Sequence, residues 1–135
     1  MAGYSPNPLI KKLGIKSNSK IKILDEPEGY WDWIGPLPEG VSTEAKNRFD
    51  FVHLFVKSRK KFEKELLILR EKIKADGMIW VSWPKKSSKV ESDMDENCIR
   101  DFALKNKLVD IKVCAVSEVW SGLKLVIPVK YREGK

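Results

Sequence analysis

Two lysine-rich links hold the residues of this chain best suited to chemistry. Lys57, Ser58, Arg59, Lys60 and Lys61 follow an apolar run at residues 51–56, and Lys85, Lys86, Ser87, Ser88 and Lys89 follow a second run at 78–83. Cations at the start of a helix oppose its dipole and cost roughly a few tenths of a kcal/mol each when exposed. Ammonium groups and serine hydroxyls beside backbone N–H groups suit a phosphate or a carboxylate. Trp120 adds an indole face for an aromatic ring carrying that anion. Glu118 could accept a hydrogen bond there or act as a base beside the lysines. The favoured reading is a turn residue paired with Lys85, Lys86 or Lys124. The expected binding residues are Lys57, Ser58, Arg59, Lys85, Lys86, Ser87, Glu118 and Trp120. The competing reading of the same lysines is a set of solvated charges that keep a small protein dissolved.

Other chemistries find less support. Nucleic acid could use the same lysines for its backbone and Trp80, Trp83 and Trp120 for base stacking. It ranks below a small anion, because charge is spread evenly over both halves of the chain and no nucleic-acid-binding motif is present. Cys98, Cys114 and the one histidine, His53, are scattered without the paired spacing of metal ligands. Asp93, Asp95 and Asn97 imitate the opening of a calcium loop. Cys98 stands where its turning glycine belongs, and Leu104 where its closing glutamate does. His53 lies inside an apolar run and reads as a hydrogen-bonded core residue rather than a base. Both cysteines read as packing residues. No catalytic residue and no metal site are assigned.

The chain has 135 residues, 26 basic and 19 acidic, for a formal net charge of +7. Its pI near 9.4 is a mild pull toward anions. With 42% hydrophobic and 33% charged residues it has the composition of a soluble globular domain. A chain of this length buries roughly two-thirds of its unfolded surface without help from a disulfide or metal. No apolar stretch approaches the ~18 residues of a membrane helix, and residues 1–20 carry no signal-peptide pattern. Two cysteines in apolar segments read as reduced thiols, so the expected compartment is the cytoplasm and no membrane partner is expected.

The elements that must position the lysine links follow from apolar periodicity. Residues 1–19 read as an N-terminal arm or short helix packed through Leu9, Ile10 and Leu13. Residues 21–24 form a short strand stopped by Pro27, and Tyr30, Trp31, Trp33 and Ile34 form an aromatic helical turn. The run at 51–56 is a strand buried on both faces. Phe62, Leu66, Leu69 and Ile73 then recur at helical spacing, with Ser58 as N-cap and Gly77 as the left-handed residue after the end. The run at 78–83 is a second buried strand, with Trp80 and Trp83 on opposite faces. A second helix begins near Ser92 and turns Cys98, Ile99, Phe102 and Ala103 inward. Val109, Ile111, Val113 and Ala115 then alternate with Asp110, Lys112 and Cys114 in a half-exposed strand. Leu123, Leu125, Ile127, Val129 and Tyr131 alternate in a closing strand, where Pro128 demands an edge or a bulge.

Buried strands alternating with helices imply parallel βαβ units, and the short last link implies an antiparallel hairpin. The expected fold is α/β, a single domain over residues 1–135. It is a three-layer sandwich whose mostly parallel sheet of about five strands ends in that hairpin. Both lysine links and the hairpin tip then reach the carboxyl edge of the sheet, where open α/β folds bind ligands.

Such a core resembles the C-terminal half of a Rossmann-like methyltransferase, a truncated version of that fold. Asp76-Gly77-Met78-Ile79-Trp80-Val81 looks like the glycine-led strand that follows the fourth helix there. The resemblance implies a methyl-donor site on a glycine-rich loop after the first strand, where backbone approaches the cofactor. Here Leu24-Asp25-Glu26-Pro27-Glu28-Gly29-Tyr30 has one glycine, a proline and three acids. No strand matches the one that would carry the ribose-binding acid, and no cofactor is expected.

Four ordered motifs carry a closer resemblance: Pro8-Leu9 through Lys12-Leu13-Gly14-Ile15-Lys16, Pro27-Glu28-Gly29-Tyr30, Trp83-Pro84-Lys85-Lys86 and Trp120-Ser121-Gly122-Leu123-Lys124. They look like the small bacterial family catalogued as domain of unknown function 3052. That resemblance covers nearly the whole chain and implies a stand-alone bacterial cytoplasmic domain, with no activity to transfer. The expected function is a non-catalytic binding module for an anionic ligand at the carboxyl edge. A protein–protein interaction domain, a degenerate methyltransferase-like enzyme and a weak nucleic-acid binder remain alternatives.

Overall fold

The computed structural model describes residues 8–132, so residues 1–7 of the expected N-terminal arm lie outside it. Five strands form one sheet: β1 (Ile21–Leu24), β2 (Phe49–Phe55), β3 (Ile73–Pro84), β4 (Val109–Ala115) and β5 (Trp120–Val126). Their order is β1-β2-β3-β5-β4. β1, β2 and β3 run parallel, and β5 is antiparallel to both of its neighbours. Helices α1 (Leu9–Leu13) and α2 (Tyr30–Ile34) cover one face, and α3 (Arg59–Lys72) and α4 (Glu96–Lys105) cover the other. The architecture is the expected α/β three-layer sandwich.

β2 is buried at every residue except Asp50, because helices lie on both of its faces. On the α3 and α4 side, Phe62, Leu66, Leu69, Ile99 and Ala103 meet Val52, Leu54, Ile79, Val81, Leu123 and Leu125. On the other side, Leu13, Tyr30 and Ile34 meet Phe51, Phe55, Trp80 and Trp120. Trp80 and Trp83 do face opposite layers. Ser58 caps α3, accepting from the Lys61 amide at 3.3 Å.

Four local expectations need correction. Gly77 does not cap α3. The helix passes directly into β3 through the extended residue Ile73, and Gly77 lies within that strand. A Cβ at Gly77 would stand 2.7 Å from the Phe49 carbonyl oxygen, so close approach of the β2 backbone is what requires glycine. The second helix begins at Glu96, not near Ser92. Asp95 caps it by accepting from the Cys98 amide at 2.7 Å, while Ser92 donates to the Lys57 carbonyl at 2.9 Å.

The closing strand ends at Val126, and Pro128 precedes a 3-10 turn over Val129–Tyr131 in which Val129 and Tyr131 are exposed. Pro128 therefore never enters the sheet. In β4 the apolar alternation is broken by an extra residue, Ile111, between Asp110 and Lys112. A bulge shifts the pleat by one residue. It leaves Ile111 and Val113 exposed, buries Cys114, and turns Asp110 to Arg100 of α4 at 3.0 Å.

Candidate functional site

The parallel register of β1, β2 and β3 brings their carboxyl ends to one edge. Both lysine links leave that edge. A cleft of about 320 Å³ opens between the β1 and β2 ends, with Asp25, Lys57, Ser58 and Lys61 at its polar side and Pro27, Phe55, Val56 and Trp120 at its apolar side. Phe55 and Trp120 meet edge to face at 5.1 Å. Asp25 follows β1 with φ 58, a left-handed conformation that aspartate tolerates. Its carboxylate meets the Lys61 ammonium at 2.6 Å. That hydrogen bond holds Lys61 above the usual lysine range, helped by the charges of Asp25 and Glu65 and opposed by a little desolvation. Both partners are half exposed, so the pair contributes little to stability.

A buried polar chain lies one layer beneath the cleft. The Phe55 ring stacks on His53 at 4.3 Å. His53 Nδ1 meets the Tyr30 hydroxyl at 3.0 Å, and Nε2 meets Ser82 Oγ at 2.7 Å. Burial pushes the His53 pKa down to about 3, so the imidazole is neutral at ordinary pH. Burial first, and then the Glu26 charge, push the Tyr30 phenol up. His53 is thus a core residue that links α2, β2 and β3.

Of the residues expected to bind, Lys57, Ser58 and Trp120 line the cleft. Arg59 turns away, donating to the Asp93 carbonyl at 3.1 Å and pairing with Asp95 at 3.9 Å. The Asp93 carboxylate accepts from the Arg59 amide at 2.6 Å, so the protein's own anion occupies the start of α3. Lys85 Nζ donates to the Ser117 carbonyl at 3.0 Å and holds the β4–β5 link. Lys86 and Ser87 are exposed in the 3-10 turn Lys86–Ser88, and Glu118 is exposed in the β4–β5 link. These five residues border the same edge without lining the cleft. Asp25 and Lys61 were absent from the expected set. Helical spacing was the available signal for Lys61, since it places that residue one turn beyond Lys57 and Ser58.

No family model matches the chain, and no curated protein matches it in sequence. Solved structures do match. The chain in the DhpI–SAH complex superposes with a TM-score of 0.63 at 10% identity, over 90% of this chain and 83% of that one. A SAM-dependent methyltransferase from Aquifex aeolicus gives 0.57 at 13% identity, over 89% and 88%. Magnesium protoporphyrin IX methyltransferase (ChlM) from Synechocystis PCC 6803, with bound SAM, gives 0.56 at 11% identity, over 89% and 74%. The scaffold is methyltransferase-like.

The residues at this edge do not fit a methyl donor. Among the described residues β1 is the outermost strand, with only an isolated bridge from Lys20 to Ser42 beyond it, so none of them forms a neighbouring strand to carry an acid for a ribose. In the link after β1, Pro27 lacks an N–H. A Cβ built on Gly29, its one glycine, would lie 3.1 Å from Trp33 Nε1. The close approach that this glycine permits is already taken by the indole. Among the described residues no cluster could hold a metal ion, and no helix is long and apolar enough to cross a membrane.

Proposed function

We propose that this methyltransferase-like domain binds, without catalysis, a small ligand that joins one carboxylate or phosphate to a flat apolar body. The observation that carries the reading is the make-up of the cleft at the β1 and β2 ends. The Lys57 ammonium has no carboxylate partner among the described residues, and the Lys61 ammonium is paired with Asp25 at the protein surface. An anionic head would meet Lys57 and Ser58 and compete with Asp25 for Lys61, a set of charge-assisted hydrogen bonds. The body of the ligand would lie against Pro27, Phe55 and Trp120. The one histidine is buried and neutral a layer below, out of reach as a base. The binding set narrows in this reading to Lys57, Ser58, Trp120, Asp25 and Lys61. The four motifs support placing the chain in the bacterial family of domain of unknown function 3052, with a cytoplasmic location.

Calorimetric titration and thermal unfolding with nucleoside monophosphates, aromatic carboxylates and S-adenosylmethionine test this reading. An aromatic anion is expected to raise the melting temperature, and Lys57→Ala to weaken its binding about tenfold or more while leaving the unliganded chain unchanged. Binding of none of the anions would refute it. The fold likeness favours a second reading, a methyltransferase-like enzyme. Stabilisation by S-adenosylmethionine alone, with methyl transfer, would establish that reading instead.

A further inference from the structure

A second concentration of cations lies on the α1 side of the sheet, four residues along β5 from Trp120 and so roughly 13 Å from the cleft wall. The antiparallel pairing of β4 and β5 sets Lys112 directly opposite Lys124. Directly opposed side chains have Cβ atoms about 4.5–5.5 Å apart, and like charges there destabilise a sheet. The Ile111 bulge offsets Lys112 from Asp110, and its Nζ is anchored on the Lys12 carbonyl at 3.1 Å. Lys16, in the link after α1, is near enough for its charge to act on Lys124. Partial burial, then the charges of Lys112 and Lys16, push the Lys124 ammonium below the usual lysine range.

Some cations of the fold have acids beside them: Lys61 has Asp25, Lys74 has Asp50, and Arg100 has Glu96 and Asp110. Among the described residues, no carboxylate pairs with Lys16, Lys112 or Lys124. We propose that these three lysines form an anion site for a phosphoryl group, separate from the cleft. A tetrahedral dianion offers an oxygen to each ammonium and cancels the repulsion across the β4–β5 pair. Lys16 and Lys112 are exposed, whereas partial burial of Lys124 limits the screening of its own charge by bulk salt.

Melting temperatures of the full chain in phosphate, pyrophosphate and sodium chloride at matched ionic strength test the proposal. Phosphate is expected to raise the melting temperature by several degrees over chloride at saturating concentration. The double variant Lys112→Gln with Lys124→Gln should lose that gain, and Lys57→Ala should keep it. A larger gain in pyrophosphate assigns the site to a phosphorylated ligand, and an equal gain assigns it to free phosphate. Equal melting in phosphate and chloride overturns the proposal, as does a gain that survives the double variant. Loss of the gain in Lys57→Ala overturns it too, by moving the anion to the cleft. A measurement on the unaltered chain stands apart from any folding defect. Phosphate should raise the titration midpoint of Lys124 followed by side-chain NMR, and an unmoved midpoint overturns the proposal.

Discussion

Beneath α3 and α4 the core is mostly aliphatic, with Phe49, Phe62 and Trp83 among it, whereas beneath α1 and α2 it is richer in aromatic rings and holds a buried hydrogen-bond chain. The first pair of helices has 14 and 10 residues, enough for Phe62, Leu66, Leu69, Ile99 and Ala103 to be buried side by side. Each large apolar side chain buried in this way contributes ~1.5–3 kcal/mol, with no demand on direction. The second pair has only five residues each, too few for helices that hold themselves. Directional bonds place them instead. Trp80 Nε1 donates to the Leu13 carbonyl at 2.7 Å, and the Tyr30 hydroxyl meets His53 at 3.0 Å. Non-directional burial suffices where a helix is long, and hydrogen bonds take over where it is short. The aromatic face is also the one that leads to the cleft, through His53, Phe55 and Trp120.

The widest separation between the two faces is expected in acid. The folded chain holds His53 at a pKa of about 3, against 6.5 for the free side chain. As pH falls from 6.5 toward 3, the unfolded chain takes up a proton that the folded chain refuses, so stability falls through that window. The loss is on the order of 4–5 kcal/mol, measurable by urea unfolding at stepped pH. His53→Gln should flatten that limb, and identical acid limbs in both chains would break the comparison. On the aliphatic face, Leu66→Ala should cost ~2–5 kcal/mol through lost burial and a cavity. That cost should be the same at pH 4 and pH 7, since Leu66 is fully buried in the apolar cluster on the side of the sheet away from His53; a pH-dependent cost would show the faces to be coupled. The smallest effect sharpens the role of the short helices. Tyr30→Phe should cost about 1–2 kcal/mol and speed amide exchange in α2 while leaving α3 protected. A uniform change in exchange would mean that α2 is not held by this bond.

Much of this was legible in the chain. The spacing of Phe62, Leu66 and Leu69 specifies the buried side of α3, and Ser58 its start. The apolar runs at residues 51–56 and 78–83 specify central strands, and with them the edge from which both lysine links depart. The candidate site was only partly legible. Lys57, Ser58 and Trp120 could be chosen from residue type and position, but the partners that engage the other candidates lie far away in sequence. Asp93 reaches the start of α3 from 34 residues beyond Arg59 and takes the amide that an external anion would use. Ser117 takes the ammonium of Lys85 from 32 residues away.

The sequence by itself determined the α/β class, the main helices and strands, and the edge from which both lysine links depart. Those follow from the periods of helix and strand, which depend only on near neighbours along the chain. The tertiary structure alone decided which side chains meet. It set Asp25 on Lys61, filled the approach to Gly29 with Trp33, brought Phe49 against Gly77, and set Lys112 against Lys124 across a bulged register. A strand's pattern tells which way a residue points, but not which strand lies opposite or where a single inserted residue turns the pleat over.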